Sequence, residues 1–509
     1  MAATPTRTTM TGNRIAPQPN EVIDRSKTIS FKFNGKSYSA HPGDTIASAL
    51  TAAGVKMISR SFKYHRPRGL SGYGHDISSM MQIGDEVSVS AWLRKVENGM
   101  VVNSINAWPS IDNDMMSVTQ LADRFLPVGF YYKTFIRPTF MWPHYETFLR
   151  NAAGLGKLNT AAGLPGGYHK QYLHGDVVVV GGGPAGMSAA LSAASGGARV
   201  LLIDEADELG GHLRYSGQNG DKLAELSQAV HDHSGITVYS NTQVVGRYDH
   251  NWLSAVSGRC LYKIRAKSLI LATGARDQPL VFPNNDRPGV FLGSALARLL
   301  HQYGTVPGKN VLIVTANDDG WQLAADLQAA GVTIAAVADH RPESAGGAVA
   351  QAVIASGVKA AWEYTIANVE GRKAVTGADI APIKADGSVD TKAIRSFHCD
   401  TVALAIAWAP ENALLYQAGC TIAYDHGRNE FISQEFPDGI FAAGRVMGTH
   451  NLDTQIAEGD AIGKSAAASV GMGDAPAQDV FDRIASSKKA EPVRTSTLVM
   501  VDSKGKKFV

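Results

Sequence analysis

Residues 176–186 read Asp-Val-Val-Val-Val-Gly-Gly-Gly-Pro-Ala-Gly, and no other stretch limits the fold as tightly. Four consecutive valines have the β-branched composition of a strand buried on both faces. They run into Gly181-x-Gly183-x-x-Gly186, which encloses Pro184 and Ala185, and then into an Ala/Ser-rich helix. In that order Gly181 allows a tight turn and Gly183 lets backbone approach a pyrophosphate. Gly186 lets the helix pack close to the strand, with its N-terminus aimed at phosphate. Asp204 ends the next apolar strand, with Glu205 beside it. A carboxylate there accepts hydrogen bonds from the ribose hydroxyls of an adenosine and repels a 2′-phosphate. A glycine-rich turn alone is weak evidence. Strand, turn, helix and acid in sequence predict a dinucleotide site.

Composition narrows the surroundings. A chain of 509 residues suggests about three domains, and 44% hydrophobic with 18% charged residues is ordinary for a soluble globular protein. A net charge of +2 argues against a dedicated nucleic-acid surface. No apolar run approaches the roughly 18 residues of a membrane-spanning helix. Cys260, Cys399 and Cys420 are scattered, which predicts no disulfide framework, no metal site and a reducing, cytoplasmic location. Residues 1–26, rich in Thr, Pro and Asn near their start, are expected to form a disordered arm.

Residues 27–109 carry a small β-rich pattern. Thr28 to Phe33 and Lys36 to Ala40 flank Asn34-Gly35, a strong hairpin signal. Pro42-Gly43-Asp44 then precedes a helical stretch from Thr45 to Ala53 that Gly54 ends, and Glu86 to Leu93 offers a later strand. This β-grasp order resembles the plant-type ferredoxin domain at the front of certain amine-oxidising flavoprotein complexes. Relatives with a two-iron, two-sulfur cluster place cysteines after an Arg-Pro-Arg-Gly turn. Here the turn is Arg66-Pro67-Arg68-Gly69, and the cluster positions fall at Ser71, Asp76 and Ser79. The expectation is therefore a ferredoxin-like domain without an iron–sulfur cluster, kept for assembly. The basic run Arg60, Lys63, His65, Arg66, Arg68 faces a cofactor phosphate, an acidic partner or only water.

Residues 110–174 read as an aromatic connector, with Phe130-Tyr131-Tyr132-Lys133-Thr134-Phe135, Phe140-Met141-Trp142-Pro143 and Tyr145 broken by prolines. Such surface either packs within the chain or anchors a second subunit. A dinucleotide-binding Rossmann domain is expected over 175–285 and 430–472. Within it Gly210-Gly211-His212-Leu213 closes a loop toward the dinucleotide, and Val244 lies on a later strand and is counted with the site. An apolar strand ends in Ala272-Thr273-Gly274, an ending that recurs in two-dinucleotide flavoprotein reductases, where small residues let the chain pass the dinucleotide. Residues 286–429 are expected as an inserted second Rossmann-like domain. Its turn, Thr315-Ala316-Asn317-Asp318-Asp319-Gly320, sets two acids where phosphates would lie, so its site is expected to be degenerate and empty. No Cys-x-x-Cys pair exists for a disulfide reductase. At the return of the sheet, flavin-binding members usually carry Gly-Asp; here the pair is Gly444-Arg445. An arginine accepts no hydroxyl hydrogen bond but pairs with a pyrophosphate, which favours NAD over FAD. Residues 473–509 read as a C-terminal linker. The fold class is α/β: two-dinucleotide, disulfide-reductase-like Rossmann domains behind the ferredoxin-like domain.

Over essentially its whole length the chain resembles the α subunit of heterotetrameric sarcosine oxidase. The resemblance is most specific at Ser61 to Gly69, Val128 to Phe135, the Gly181 to Gly186 fingerprint, and Ala272 to Ala275 through Pro279 to Pro283 and Asn285 to Val290. Family α subunits are longer, continuing into a small domain and a folate-binding aminomethyltransferase-like domain, so a split, shortened or fragmentary α subunit is expected. The resemblance implies a complex that oxidises the amine sarcosine to glycine, yielding hydrogen peroxide with formaldehyde or methylenetetrahydrofolate. It implies a β-type flavin subunit with FAD and the substrate, FMN near the α/β interface, small subunits, and NAD in this chain's fingerprint. No catalytic residue is assigned here. Two alternatives stand: the α subunit of another amine or amino-acid dehydrogenase complex, and a non-catalytic NAD-binding assembly subunit.

Overall fold

The computed structural model describes residues 12–74, 76–125, 137–153 and 166–490, with isolated positions besides. The chain forms two compact units, one of residues 1–162, 279–406 and 496–509, the other of residues 163–278 and 407–495. Among the described residues no helix is long and apolar enough to cross a membrane.

In the first unit Ile29–Phe33 and Lys36–Ala40 pair antiparallel. Asn34 and Gly35 both take positive φ (48° and 78°), as a two-residue turn matching strand twist requires. Three more strands, Val101–Ser104, Met80–Ile83 and Glu86–Ser90, complete a five-stranded sheet, with Ile29–Phe33 and Val101–Ser104 parallel. The helix Ile46–Ala52 starts at a capping box in which Thr45 and Ser48 satisfy each other's backbone donors.

The arm is not free along its described part. Arg14 donates to the Tyr303 carbonyl and pairs with the fully buried Asp44, Ile15 N donates to Gly304 O (2.9 Å), and Ile15 is buried. The local sequence gives no hint of this, because the partners lie far along the chain.

Four of the five residues of the basic run, Arg60, His65, Arg66 and Arg68, are engaged internally. Arg60 is buried and donates to the Ile111 and His65 carbonyls, and His65 Nδ1 lies 2.7 Å from the buried Asp114 Oδ2. Arg66 and Arg68 both pair with Asp286. A Cβ on Gly69 would sit 2.8 Å from Pro288 Cα, so the Arg-Pro-Arg-Gly turn is a docking surface for residues 284–292.

The remainder of this unit is a five-stranded parallel sheet in the order Val290–Leu292, Thr401–Ala405, Asn310–Thr315, Thr333–Asp339, Ala360–Trp362, with a three-stranded antiparallel sheet beside it in sequence. Phe31, Leu50 and Trp92 share one core with Leu296, Leu299 and Trp321. The ferredoxin-like part and the insert therefore fold as one body, which enters over 279–406 where 286–429 was expected.

The second unit is built on a seven-stranded sheet, ordered Ile236–Tyr239, Val200–Ile203, His169–Val180, Cys260–Leu271, Trp252–Ser257, Gln243–Tyr248, with Ile440–Ala442 also pairing Cys260–Leu271. Val177 to Val180 are buried in its middle, as the valine run demands. The fingerprint helix Pro184–Ser195 crosses the helix Leu452–Ser469 closely: a Cβ on Gly459 or Gly463 would fall 2.2 or 2.3 Å from the carbonyls of Ala185 and Ala189. Where a linker was expected, Gln478–Ala490 is a helix with Ile484 buried.

Candidate functional site

Four separate segments of the second unit converge on the fingerprint. Gly181 (φ 106°) takes a conformation that L side chains rarely adopt, and a Cβ there would lie 2.2 Å from Ala272 O. Gly182 N donates to Asp204 Oδ2, and its carbonyl accepts from Gly210 N at 2.8 Å. Gly211, the first residue of the 3-10 turn Gly211–Arg214, packs on Gly183: its Cβ would be 3.0 Å from Gly183 Cα. Gly444 (φ 86°) sits on the helix start, its Cβ 2.8 Å from that of Ala185. Gly186 is pressed hardest, since a Cβ there would meet Gly181 O at 1.8 Å. Gly183 differs. A Cβ on it would meet nothing within 4 Å, so open space begins where the helix N-terminus points.

Asp204 is half-buried at the end of Val200–Ile203 and also accepts from Ala206 N (2.7 Å). Each carboxylate oxygen has two acceptor sites, so these backbone bonds orient the group without exhausting it. Glu205 is exposed beside it, and His212 is half-buried in the 3-10 turn. Val244 pairs with Ala255 and packs into the sheet's core; its tie to the site is the bond from Thr242 N to Asp204 O. On the other side Thr273 Oγ1 donates to Glu411 O (2.9 Å), and Gly274 O accepts from Glu411 N (3.0 Å).

Three residues that sequence reasoning missed hold this second side. Glu411 anchors the Ala272-Thr273-Gly274 bend and pairs with Arg276. Trp408, buried on Ala407–Pro410, lies under Arg445, whose guanidinium carbon is 4.7 Å from a Trp408 ring centroid. Glu458, buried on Leu452–Ser469, accepts from Gly444 N and Thr449 Oγ1 (both 2.8 Å) and from Lys488 Nζ (2.6 Å). Glu458 is one of three acids on its helix, with Asp453 and Asp460, and nothing local in the sequence sets it apart.

The second βαβ turn, in the other unit, is closed from within. Asp318 and Asp319 begin the helix Asp318–Ala329, where acids oppose the positive dipole end and repel phosphate. Arg341 pairs with Asp318 (3.0 Å) and with Asp339 (2.9 Å), and Trp321 Nε1 donates to Asp339 (2.8 Å). Asp339 is fully buried at the strand end where a ribose acid would stand. Titration of the chain with a dinucleotide is accordingly expected to saturate at one tight site; two equivalent tight sites would contradict this closure.

His340, next in sequence, is buried with Nε2 2.9 Å from Thr365 Oγ1, and Nδ1 has no hydrogen-bond partner among the described residues. Burial pulls its pKa down to about 4. A depressed histidine stabilises the fold fully above its unfolded value of about 6.5, and that stability is lost as pH falls toward about 4. The window is worth roughly 3 kcal/mol. Unfolding midpoints at pH 7 and pH 4.5 are expected to differ less in His340→Gln than in the parent, because glutamine takes no proton. Equal acid sensitivity in the two would refute this.

Chemistry by a thiolate finds no support in the two buried cysteines. Burial pushes the Cys399 thiol up to about 12, and it raises Cys420 as well. Among the described residues no group of His, Cys, Asp and Glu has the makings of a metal site.

Residues 175–473 match the family described as pyridine nucleotide-disulphide oxidoreductase, and residues 26–107 match the 2Fe-2S iron-sulfur cluster binding domain. The chain is similar to the sarcosine oxidase subunit alpha of Rhizobium meliloti (strain 1021), 33% identical over 89% of this chain and 47% of that protein. It is similar also to that of Corynebacterium sp. (strain P-1), 29% identical over 93% of this chain and 46% of that protein. The chain thus spans about half the length of these relatives. Among solved structures the L-proline dehydrogenase from P. horikoshii shares the fold, with TM-score 0.64, 20% identity, and coverage of 92% of this chain and 79% of that one.

The match over 26–107 corrects two expectations, the fold class written without a cluster and the cofactor set without one: the N-terminal domain is of the 2Fe-2S ferredoxin type. The residues present do not supply the usual ligands, since residues 26–107 contain no cysteine and such clusters are normally held by four thiolates. The loop in question closes on Asp76, a buried carboxyl that accepts from Ser71 N (2.8 Å) and Ser78 N (2.9 Å). Burial raises its pKa against the pull of those bonds.

Proposed function

The chain belongs to the pyridine nucleotide-disulphide oxidoreductase family, and we propose that it is the dinucleotide-binding α-type subunit of a sarcosine oxidase-like heteromeric flavoenzyme. The observation that carries this reading is the convergence of Asp204, Gly211, Ala272 and Gly444 on one glycine fingerprint whose Gly183 borders open space. In it Gly181, Gly183, Pro184, Ala185 and Gly186 face the pyrophosphate of NAD, and Asp204 the adenosine ribose, with Glu205 at its rim. Gly211, His212, Ala272, Thr273, Gly274 and Arg445 close the sides, and Val244 backs the strand beside the ribose end. NAD bound there supplies a redox-capable or structural group; the chain's own residues bind and orient it.

The amine-oxidising flavins, FAD with FMN, belong to a β-type partner, and the substrate is a small N-methyl amine. Trp108, Met115, Val118, Leu121, Phe140 and Phe148 are exposed between residues 108 and 148 of the first unit, a concentration of apolar surface suited to a permanent partner. The aromatic run Phe130 to Phe135 lies outside the described residues. Alone, the chain is expected to show no sarcosine-dependent oxygen uptake in an oxygen electrode. Co-expressed with a β-type partner, it is expected to yield a soluble complex that produces peroxide from sarcosine. Turnover by the isolated chain at the complex's rate would overturn the assignment.

A further inference from the structure

The helix Gln478–Ala490 lies beyond residues 175–473, the stretch that matches the oxidoreductase family, yet its last turn reaches the wall of the fingerprint site. Its Lys488 Nζ stands 2.6 Å from Glu458 Oε1, and both side chains are mostly buried. The other oxygen of that carboxylate, Oε2, accepts from Gly444 N and Thr449 Oγ1, both at 2.8 Å. Gly444 in turn is seated against Ala185 at the start of the fingerprint helix. One carboxylate thus joins the last turn of Gln478–Ala490 to the phosphate end of the site. Its backbone is not free to follow the lysine. Gly459, the next residue, packs so closely that a Cβ would fall 2.2 Å from Ala185 O, and Ile456 O accepts from Ser188 Oγ at 2.7 Å. Only the side chain of Glu458 is left to adjust.

The helix itself is lightly held. Ile484, four residues before Lys488 and on the same face, is buried, while most of the helix is exposed. Arg428 Nη2 donates to Lys488 O (3.2 Å) and closes its end. A helix of 13 residues is marginal in water by itself, so this one depends on docking. Without Lys488 the Glu458 carboxylate is left charged and unpaired in a buried place beside the phosphate end of the site. It then turns toward water and releases Gly444 N, or it stays and repels the incoming anion. Both outcomes weaken binding. We propose that Lys488 is a positioning residue of the fingerprint site: through Glu458 it holds the Gly444 turn in its binding geometry, so that docking of Gln478–Ala490 and binding of a dinucleotide favour each other. This rests on the reading of that site as a dinucleotide site. The coupling is reciprocal: whatever the docked helix adds to nucleotide affinity, bound nucleotide adds to the stability of the docked helix.

The test titrates NAD calorimetrically into the nucleotide-free 509-residue chain and into Lys488→Met, Lys488→Arg, Lys488→Met/Glu458→Gln and Gly183→Val. It also follows amide hydrogen exchange in residues 478–490 with and without NAD. Lys488→Met is expected to weaken NAD about tenfold, and Lys488→Arg to recover part of the loss. Lys488→Met/Glu458→Gln is expected to bind about threefold more tightly than Lys488→Met, because the neutral amide keeps an acceptor for Gly444 N without an unpaired charge. A lysine that merely packed would gain nothing from the second substitution. In the parent, NAD is expected to slow exchange in residues 478–490 about tenfold, and in Lys488→Met to leave it nearly unchanged. NAD affinity in folded Lys488→Met within about twofold of the parent overturns the proposal, as does exchange in the parent that NAD does not slow. Should Lys488→Met not fold, the exchange measurement on the parent decides alone. Gly183→Val separates the two readings: if it retains NAD affinity, the site assignment fails, whereas loss in Gly183→Val beside an unaffected Lys488→Met sinks only this inference.

Discussion

Gly183→Val is expected to give a folded chain without nucleotide. Gly183 lies at φ −74° and ψ −179°, extended backbone that any residue adopts, and a Cβ there meets nothing within 4 Å. The fold does not require glycine at this position. What requires it is the ligand, because a β-branched side chain fills the space where backbone and pyrophosphate approach. Affinity is expected to fall at least 100-fold, about 3 kcal/mol, while the thermal midpoint stays within a few degrees of nucleotide-free parent chain. Gly186→Ala is the contrasting variant: its Cβ would overlap the Gly181 carbonyl at 1.8 Å, so it damages strand–helix packing whether or not ligand is present. Nucleotide released on denaturation and identified by mass reads the outcome. Full nucleotide content in folded Gly183→Val would show that the site lies elsewhere.

That contrast also marks what the sequence made legible. Local rules sufficed where the cause is local. The valine run, the spacing of Gly181, Gly183 and Gly186, and the Asn34-Gly35 turn each encode their own geometry within a few residues: a buried strand end at Val177 to Val180, a helix at Pro184–Ser195, and positive φ at Asn34 and Gly35. Long-range pairings were hidden. Nothing near Arg14 announces Asp44 or Tyr303, and nothing near Arg66 announces Asp286. A run of basic residues therefore read as surface, although each described arginine in it has an internal partner. Glu458 was invisible for the same reason, because its value lies in reaching Gly444 N and Thr449 across a turn that only the fold brings near. The ferredoxin-type domain shows a different gap: its β-grasp order was legible, but the missing thiolates at Ser71, Asp76 and Ser79 pointed to a domain without a cluster, whereas residues 26–107 match the 2Fe-2S iron-sulfur cluster binding domain.

Asp286→Ala is expected to be among the most destabilising single changes in the first unit. The carboxylate is nearly inaccessible and takes a two-pronged bond from Arg66, at 2.6 Å from Nε and 2.7 Å from Nη2, while Arg68 binds the same Oδ2. Both guanidiniums are themselves mostly buried, so removing the acid leaves two cations in low dielectric without compensation. Breaking a buried pair in this way costs about 3–5 kcal/mol, more than the pair contributes over a well-packed apolar substitute. The same balance has a pH signature. Burial pushes the Asp286 carboxyl up, but the bond from Arg66 and the charges of Arg68 and Arg66 outweigh it and hold it below the usual range. A depressed carboxyl contributes stability that is complete above its unfolded value, about 3.9, and is lost as pH falls through the lower folded value. Urea unfolding at pH 7 should therefore show a large drop in midpoint for Asp286→Ala and a smaller one for Asp286→Asn, which keeps one acceptor for Arg66. Because the bond joins the Arg-Pro-Arg-Gly turn to residues 284–292, the loss should also expose the turn to protease. A drop under about 1 kcal/mol would mean that Arg66 and Arg68 reach water once released, and that Asp286 does not pin the two halves of this body together.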